Sequence, residues 1–292
     1  MKKISLLLSL SVFCFCAVNA KDYQKEFSKA YETNPNVTLE TSTSFGTLKI
    51  IPWENNEVEI SVSVIVDAKS EKDAQEIFER IEVEMRGTRD QVAIETEIGN
   101  GSWRNQSGNF EINITIHAPE KMKSKINHSY GDLNFGAFEG KANIDVSYGS
   151  LTAENFINPE NDVKISYSSG KILNTKGGAY DVQFGSLTFD KINGDATIHA
   201  GYSSLDVKNV TPNCHELSIS SEFGGAEISL DPKCSFKVEA NSSFGSIELP
   251  QQMKITSSKS DFNSANKEGT IGTGQGELSI SCSFGDVNVD IN

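Results

Sequence analysis

An aromatic residue followed by glycine or serine recurs at nearly regular intervals along the chain. From Tyr130 to Phe244 the intervals are 18, 19, 17, 18, 21 and 21 residues, and a further step of 40 residues, about two periods, leads to Phe284. A unit of this length cannot bury an apolar face by itself, so the units must stack on their neighbours. The aromatic residues of these dipeptides are Phe45, Tyr130, Tyr148, Tyr167, Phe184, Tyr202, Phe223, Phe244 and Phe284.

Two alternating runs of apolar residues make up each unit, and they are out of phase with each other. Ile144, Val146 and Tyr148 alternate with polar residues, and the alternation resumes one position out of step at Leu151 and Ala153. A period of two is typical of a strand with one buried face. Both runs reach the same core only if the backbone turns between them, which glycine permits. A plain hairpin is the alternative, but tight hairpins favour Asn-Gly or Asp-Gly.

Strands joined by corners at this period predict an all-β fold, a right-handed parallel β-helix with coils of about 17–21 residues. We place its regular part in residues 126–292. Since each aromatic ends the apolar run before its corner, we predict that the rings point inward and stack as a structural ladder in the core. That placement argues against exposed platforms for sugars. The predicted ladder consists of Tyr130, Tyr148, Tyr167, Phe184, Tyr202, Phe223, Phe244 and Phe284.

Residues 21–125 are predicted to form a β-rich segment in which the solenoid starts. Thr41, Phe45 and Leu48 repeat the phase shift of a corner. A single helix is expected near residues 70–81, because Ser70 is a favourable N-cap and the apolar positions after it share one side. Residues 100–108 read as a polar loop that contains Trp103. We expect the helix to cover an open end of the solenoid, where an uncovered sheet edge invites aggregation.

Residues 1–20 have the pattern of a signal peptide. Lys2 and Lys3 precede an apolar run, and small residues lead to a predicted cleavage site after Ala20. A lipoprotein is the rival interpretation because Cys14 and Cys16 lie late in that run. No later segment holds 18 uninterrupted apolar residues, so no transmembrane segment is predicted. The expected destination is the periplasm or the surface of a bacterial cell.

The charge balance restricts the partners of the mature chain. There are 26 Lys and Arg against 40 Asp and Glu, and loss of Lys2 and Lys3 with the leader leaves a net charge of −16. Nucleic acid is excluded as a partner, since a duplex binder needs a basic patch. An anionic membrane is disfavoured for the same reason.

Three cysteines remain after cleavage. Cys214 and Cys234 precede their aromatics, Phe223 and Phe244, by nine and ten residues, so successive coils would place them close enough for a disulfide. Two separate thiols on adjacent corners are the alternative. Cys282 occupies an inward position and is expected to be an inert core thiol.

No catalytic, cofactor or metal site is predicted. His128 falls on an inward position, where a buried imidazole is more common than a metal ligand. The acidic residues occupy outward positions and indicate a solvated face, with a calcium site from stacked carboxylates as the alternative.

An enzyme acting on glycans, a polysaccharide lyase or a glycoside hydrolase, is the alternative to a structural or binding role. Such enzymes need a carboxylate pair or a cation beside the substrate acid. All four arginines, Arg80, Arg86, Arg89 and Arg104, precede the regular repeats, although Lys164, Lys171 and Lys191 remain. We therefore predict a non-catalytic protein that binds a surface or envelope ligand, either protein or glycan.

Several motifs in a fixed order resemble a known family. They are Trp-Glu-Asn-Asn-Glu-Val-Glu-Ile from Trp53, the helix near 70–81, Ile-His-Ala-Pro from Ile116, the Ser-aromatic-Gly units, and Gly-Thr-Ile-Gly-Thr-Gly from Gly269. Together they resemble the DUF4097 family of secreted, adhesin-like bacterial β-helix proteins. The resemblance covers nearly all of the mature chain. It implies an extracytoplasmic β-helix and brings no catalytic residues with it.

The last apolar run, Val287 to Ile291, is followed directly by the end of the chain. We expect this strand to form the end of the solenoid, where its backbone donors and acceptors have no partner strand. Either polar side chains of the same strand protect this edge or a second copy of the chain covers it. The charges there favour a monomer over an end-to-end dimer.

Overall fold

A computed structural model describes residues 22–99 and 108–292, and the predicted leader and most of the Trp103 loop lie outside them. Within these ranges, one helix and 23 strands follow one another. The strands are β1 (Asp22–Glu32), β2 (Thr38–Trp53), β3 (Glu57–Ala68), β4 (Ile81–Gly87), β5 (Gln91–Ile98), β6 (Gly108–Pro119), β7 (Lys123–Phe138), β8 (Ala142–Ser147), β9 (Ser150–Phe156), β10 (Asp162–Ser166), β11 (Ser169–Ile172), β12 (Gly178–Gln183), β13 (Ser186–Phe189), β14 (Ala196–Gly201), β15 (Ser204–Val210), β16 (Glu216–Glu222), β17 (Ala226–Leu230), β18 (Phe236–Ser243), β19 (Ile247–Glu248), β20 (Lys254–Asp261), β21 (Ser264–Ile271), β22 (Gly276–Ser283) and β23 (Val287–Ile291), and helix α1 spans Glu71–Phe78.

The strands form the parallel β-solenoid that the repeat predicts. On the face before the corners, β8, β10 and β12 pair in parallel, so that Val146, Ile165 and Val182 lie level with one another. On the face after the corners, β9, β11 and β13 pair in the same way. The predicted fold class is thereby confirmed, while the right hand of the coil stays a prediction from the rule for parallel crossovers.

The interior is filled by the residues that alternate along the strands. Leu151, Ile165 and Leu187 are at most 1% exposed, as is typical of a close-packed core. Aromatic residues outside the repeated dipeptides also fill it, namely Phe135, Phe138, Phe156, Tyr180 and Phe189. The hydroxyl of Tyr180 is satisfied by Thr175 at 2.6 Å and by the carbonyl oxygen of Gly177 at 3.1 Å.

The first coil is β2, and a long insertion separates it from the second coil. β2 pairs in parallel with β7, while β5 and β6 pair with its other edge. Antiparallel strands then continue the sheet outward, with β3 on β6, β1 on β3 and β4 on β5. The N-terminal end of the solenoid is therefore covered by the chain's own insertion.

The predicted helix is confirmed as α1. Ser70 is extended at the N-cap and accepts a hydrogen bond from the backbone N–H of Asp73 at 3.2 Å. Ala74, Ile77 and Phe78 are buried, and the helix packs on β3 with further contacts to β1 and β6. The helix therefore lies on the inserted strands at the N-terminal end.

The C-terminal coils are not stacked in chain order, so the order that the repeat intervals predict is wrong. β22 and β23 insert between the coil of β16 and β17 and the coil of β18 and β19. The step of 40 residues is not two periods, because β20 and β21 form an antiparallel hairpin that continues the sheet beyond β18. Lys267 of β21 also donates a hydrogen bond to the carbonyl oxygen of Ile247 at 2.6 Å.

The prediction that the last apolar run forms the end of the solenoid is therefore wrong. β23 lies inside the stack, and the hairpin of β20 and β21 covers the neighbouring coil. Because β17 and β19 flank it, β23 has no free edge at which a partner could dock.

Cys214 and Cys234 are free, buried thiols, so the predicted disulfide between them is absent from the structure. They precede β16 and β18, and β22 lies between these two strands, so the expected succession of coils was wrong. Burial raises the pKa of Cys214 to about 12 and the pKa of Cys234 to about 11. Cys282 is buried as predicted, and its Sγ lies 3.3 Å from the carbonyl oxygen of Gly224.

The thiols should be unreactive in the folded protein. Because the thiolate is the reactive form, native protein lacking residues 1–20 should show negligible alkylation by iodoacetamide at pH 8. Denaturation without reductant should expose three reactive thiols per chain, counted by mass spectrometry. If only one thiol per chain reacts after denaturation, Cys214 and Cys234 are bonded to each other and not free.

Glycine is required at the corners because the backbones of successive coils nearly touch there. A Cβ on Gly149 would lie 1.8 Å from the carbonyl oxygen of Gly131, and a Cβ on Gly131 would meet Gly46 in the same way. Where serine replaces glycine, as at Ser168, its hydroxyl oxygen accepts a hydrogen bond from the backbone N–H of Gly149 at 2.9 Å. The small residue of each dipeptide therefore sets the distance between coils.

The substitution Gly149→Ala should reduce the free energy of unfolding by at least about 2 kcal/mol, because the neighbouring carbonyl cannot move without shifting a whole coil. Gly225→Ala is the matched control, since its Cβ would lie 3.3 Å from the nearest oxygen. Urea denaturation of both variants measures the difference. If both variants lose the same stability, the close contact between Gly149 and the carbonyl oxygen of Gly131 is not what excludes larger residues from the corner.

Candidate functional site: an exposed aromatic ladder

The aromatic residues of the dipeptides lie on the surface, so the prediction that their rings are buried is wrong. Phe45 is 37% exposed, and the other eight rings are 47–55% exposed. Each of these residues has φ between 51° and 62°, the left-handed region. A residue in this region does not continue the alternation of the preceding strand, so the ring turns outward where an extended residue would point inward. We call these nine residues the aromatic ladder.

The rings of the aromatic ladder stack face to face in one line. Neighbouring centroids are 4.5–5.1 Å apart, and neighbouring planes differ by no more than 10°. Because β22 and β23 are intercalated, the ring of Phe284 lies between those of Phe223 and Phe244. At the N-terminal end, Phe110 tilts against Phe45 at 5.4 Å.

The backbone holds each rung in a conformation that non-glycine residues rarely adopt. Within residues 22–99 and 108–292, the nine rungs are the only non-glycine residues with positive φ. The left-handed conformation costs an aromatic residue roughly 1 kcal/mol. Hydrogen bonds between coils offset this cost, since the N–H of Tyr148 donates to Ser166 at 3.1 Å and that of Tyr167 to Gln183 at 2.9 Å. Strain repeated at one kind of position is a reason to look for a function there.

The exposed apolar strip is large for a protein of this size. A Phe or Tyr side chain has about 200 Å² of surface, so nine half-exposed rings present on the order of 900 Å². The largest apolar patch of an ordinary monomer is about 300–600 Å² and marks an interaction site in many proteins. The strip is also long, since eight steps between centroids span roughly 40 Å.

The ladder presents ring edges, because each ring's faces are covered by its neighbours. A sugar platform needs a free ring face, so the stacked part of the ladder does not provide one. Rows of small polar residues border the rings on both sides, including Ser147 before Tyr148 and Ser150 after it. Ser150 donates a hydrogen bond to Asp132 at 2.6 Å. The surface is therefore an apolar ridge between two hydroxyl-rich borders, suited to an extended partner.

His128 is buried beneath the N-terminal end of the aromatic ladder, where it contacts residues beside Phe45. It is 3% exposed, and its Nδ1 and Nε2 lie 2.9 Å from the hydroxyl of Thr43 and 3.1 Å from the carbonyl oxygen of Gly46. This arrangement suits a neutral ring whose Nε2–H donates to the carbonyl. Burial lowers the pKa of His128 below its usual value near 6.5. The predicted buried imidazole is confirmed.

Of the lysines left open for an enzyme, Lys164 lies on β10 before a corner and Lys171 on β11 after it. Lys171 lies 3.5 Å from Asp190, which also binds Lys208 at 2.7 Å. The hydrogen bond from Lys208 lowers the pKa of Asp190 below its usual range. Within the described residues, no three His, Cys, Asp or Glu side chains are grouped so that they could hold a metal ion.

The chain is a parallel β-solenoid with a solvent-facing column of stacked rings. The chain belongs to the Toastrack DUF4097 family, whose model matches residues 17–290. The resemblance noted in the sequence is thereby confirmed. Curated proteins contain no match to the chain. Over the described ranges, no helix is both long and apolar enough to cross a membrane.

Several solved structures are similar to the chain at low identity. A candidate adhesin from Parabacteroides merdae is 10% identical, with a TM-score of 0.43 over 92% of this chain and 96% of its own. A candidate adhesin from Bacteroides fragilis is 13% identical, with a TM-score of 0.36 over 91% and 97%. A candidate lipid-binding protein from Parabacteroides distasonis is 10% identical, with a TM-score of 0.37 over 90% and 96%. At these scores the likenesses carry no argument about function.

Because the rings of the ladder point outward, we expect their removal to change the free energy of unfolding only slightly. Phe184→Asn should change the free energy of unfolding by no more than about 1 kcal/mol, because lost stacking is offset by the tolerance of Asn for the left-handed region. Phe189→Ala, in the core, should cost about 3–5 kcal/mol. Urea denaturation of both variants measures the contrast, and a loss at Phe184 as large as that at Phe189 would contradict the exposed placement.

His128 should make the protein less stable in mild acid. Its folded pKa lies below its unfolded pKa, so the unfolded chain binds more protons in that interval. The free energy of unfolding should therefore fall as the pH drops through about 6.5 and level off below the lowered pKa. Urea denaturation from pH 8 to pH 5 should show this loss in the His215→Gln control and not in His128→Gln. If His128→Gln loses as much stability between pH 8 and pH 5 as the control does, the loss is caused by groups other than His128.

Proposed function

We propose that this protein is an extracytoplasmic, non-catalytic, adhesin-like binding protein, and that the aromatic ladder is its binding surface. Its site of action is the surface or the periplasm of a bacterial cell, which it reaches by a cleaved signal peptide at residues 1–20. The observation that carries the proposal is the column of nine half-exposed rings held in left-handed backbone. Membership of the family and the leader pattern support the extracytoplasmic location.

A purely structural role does not account for the ladder. The corners need a left-handed residue, and Asn or Gly would supply that conformation at lower cost than Phe or Tyr. The core is filled by other side chains, so the rings are not needed there. Aromatic residues at all nine corners therefore support a role in which the rings meet a partner.

Adherence of cells tests this role. A strain lacking the protein is complemented with wild type, with a double variant carrying Phe184→Asn and Tyr202→Asn, or with a control carrying Leu173→Asn and Ile255→Asn. The control removes two exposed apolar side chains outside the ladder, which are 38% and 53% exposed. We expect loss of adherence to immobilised matrix proteins only in the ladder variant. Equal adherence in all strains expressing folded protein would remove the ladder from the function.

Two further measurements test the location and the absence of catalysis. Protease added to intact cells should degrade the protein if it lies on the surface and spare it if it lies in the periplasm. Recovery of the protein in the cytosolic fraction with residues 1–20 still attached would contradict export. Turnover of acidic glycans by purified protein would favour the alternative, a polysaccharide lyase or glycoside hydrolase.

A further inference from the structure

The two halves of the aromatic ladder differ in the charges beside them. We propose that the C-terminal half, made of Tyr202, Phe223, Phe284 and Phe244, docks a basic amphipathic polypeptide segment. Apolar side chains of this segment pack on the rungs, and its Lys or Arg side chains reach carboxylates beside them. The inference rests on the proposed function and names the partner of the same surface.

The rungs of this half form a continuous apolar ridge. Their centroids are 4.5 Å, 4.7 Å and 4.7 Å apart in spatial order, and each ring is 47–55% exposed. Three of the four are Phe, so the exposed edges carry a single hydroxyl, that of Tyr202. This part of the ladder offers a partner little to hydrogen-bond and much apolar surface to cover.

Five carboxylates lie within four positions of these rungs along the chain. They occupy the position directly before a rung or the second or fourth position after it. On one side, Asp206, Glu227, Asn288 and Glu248 form one row in register across adjacent strands. None of the carboxylates beside these rungs forms an ion pair within the described part of the chain. The full set is Asp206, Glu222, Glu227, Glu248 and Asp286.

One of these carboxylates is held in its charged form by its neighbours. Asp286 accepts hydrogen bonds from the backbone N–H of Ser246 at 2.8 Å and from its hydroxyl at 2.7 Å. These hydrogen bonds fix the carboxylate beside Phe284 and Phe244. No lysine occupies these bordering positions, and the nearest ammonium groups reach them from other positions, with Lys267 bound to the carbonyl oxygen of Ile247 next to Glu248. Five carboxylates at the bordering positions leave this half with an excess of negative charge.

The same positions beside the N-terminal half are mixed in charge. They hold one carboxylate, Asp132, and two lysines, Lys49 and Lys171, with Ser and Thr at most of the others. Phe110 also covers the outer side of Phe45, the first rung. The other end is more open, since Phe244 is 55% exposed and Phe45 only 37%. Charge and accessibility therefore both favour docking at the C-terminal half.

Charge complementarity selects a basic polypeptide over the other occupants of an apolar ridge. A second copy would bring the same carboxylates against the first and would be repelled. An anionic membrane would be repelled by a chain of net charge −16. A neutral glycan would need free ring faces, which the stacked rungs do not offer.

Binding of synthetic peptides to protein lacking residues 1–20 tests the proposal. The probe is a fluorescently labelled decapeptide that alternates Lys and Leu, and two others of equal length alternate Glu with Leu or Lys with Ser. We expect fluorescence anisotropy to show binding of the first peptide, at least tenfold weaker binding of each of the others, and weakening at high salt. Binding of the Glu and Leu peptide as tightly as the first would overturn the charge argument.

Variants locate the binding site on the ladder. Phe223→Asn with Phe284→Asn should weaken binding of the Lys and Leu peptide at least tenfold, and Glu227→Gln with Glu248→Gln about fivefold. Tyr148→Asn with Tyr167→Asn, in the N-terminal half, should weaken it less than threefold, and the control Leu173→Asn with Ile255→Asn should leave it unchanged. Circular dichroism confirms that each variant is folded before its affinity is compared.

Three outcomes would overturn the proposal. Equal loss in the two halves would show no preference for the acidic half. A dimer in sedimentation that disappears in Phe223→Asn with Phe284→Asn would make a second copy the occupant. Absence of peptide binding, with adherence still lost in the Phe184 and Tyr202 variant, would overturn the basic partner while leaving the proposed function intact.

Discussion

The structure depends on the close approach of backbones at the corners. A left-handed residue turns the chain, the next residue has little or no side chain, and the following coil then packs directly against it. The same geometry keeps the coils about 4.8 Å apart, the spacing at which aromatic rings also stack. The buried ladders of aliphatic side chains and the exposed ladder of rings are thus two results of one repeated corner.

The sequence predicts the solenoid well because its signal is repeated many times. Alternation on both sides of each corner, such as Val146 before it and Leu151 after it, correctly identifies the inward residues. It fails at Tyr148 itself, since alternation assumes extended backbone and this residue has φ of 58°. The signal that was available is the phase shift, because a break of one residue requires one position to leave the strand conformation. Asn or Gly at Tyr148 would have indicated a left-handed residue there, because these residues adopt that conformation readily, whereas an aromatic residue gives no such indication.

The order of the coils could not be predicted from local pattern. The interval of 40 residues before Phe284 fits two periods numerically, but Lys254 to Ile271 lacks the apolar alternation of a coil and forms a hairpin. Which coil neighbours which depends on the path of the connections, and that path carries no periodic signal. Cys234 does reach the segment that leads to Cys214, since its Sγ lies 3.2 Å from the carbonyl oxygen of Val210, yet both thiols are free, and spacing in the sequence cannot decide whether two nearby thiols bond.

The intercalated coil imposes an order on folding. The coil of β18 and β19 emerges before the coil of β22 and β23, yet it contacts the rest of the stack through that later coil. A solenoid that grew one coil at a time from its N-terminal end would therefore have to pause after β17. About sixty residues, from the end of β17 at Leu230 to the end of β23 at Ile291, must then be made before the last two layers close together as a unit. Synthesis and folding can proceed in step through most of this molecule, but its C-terminal layers assemble only jointly, with the inner one made last.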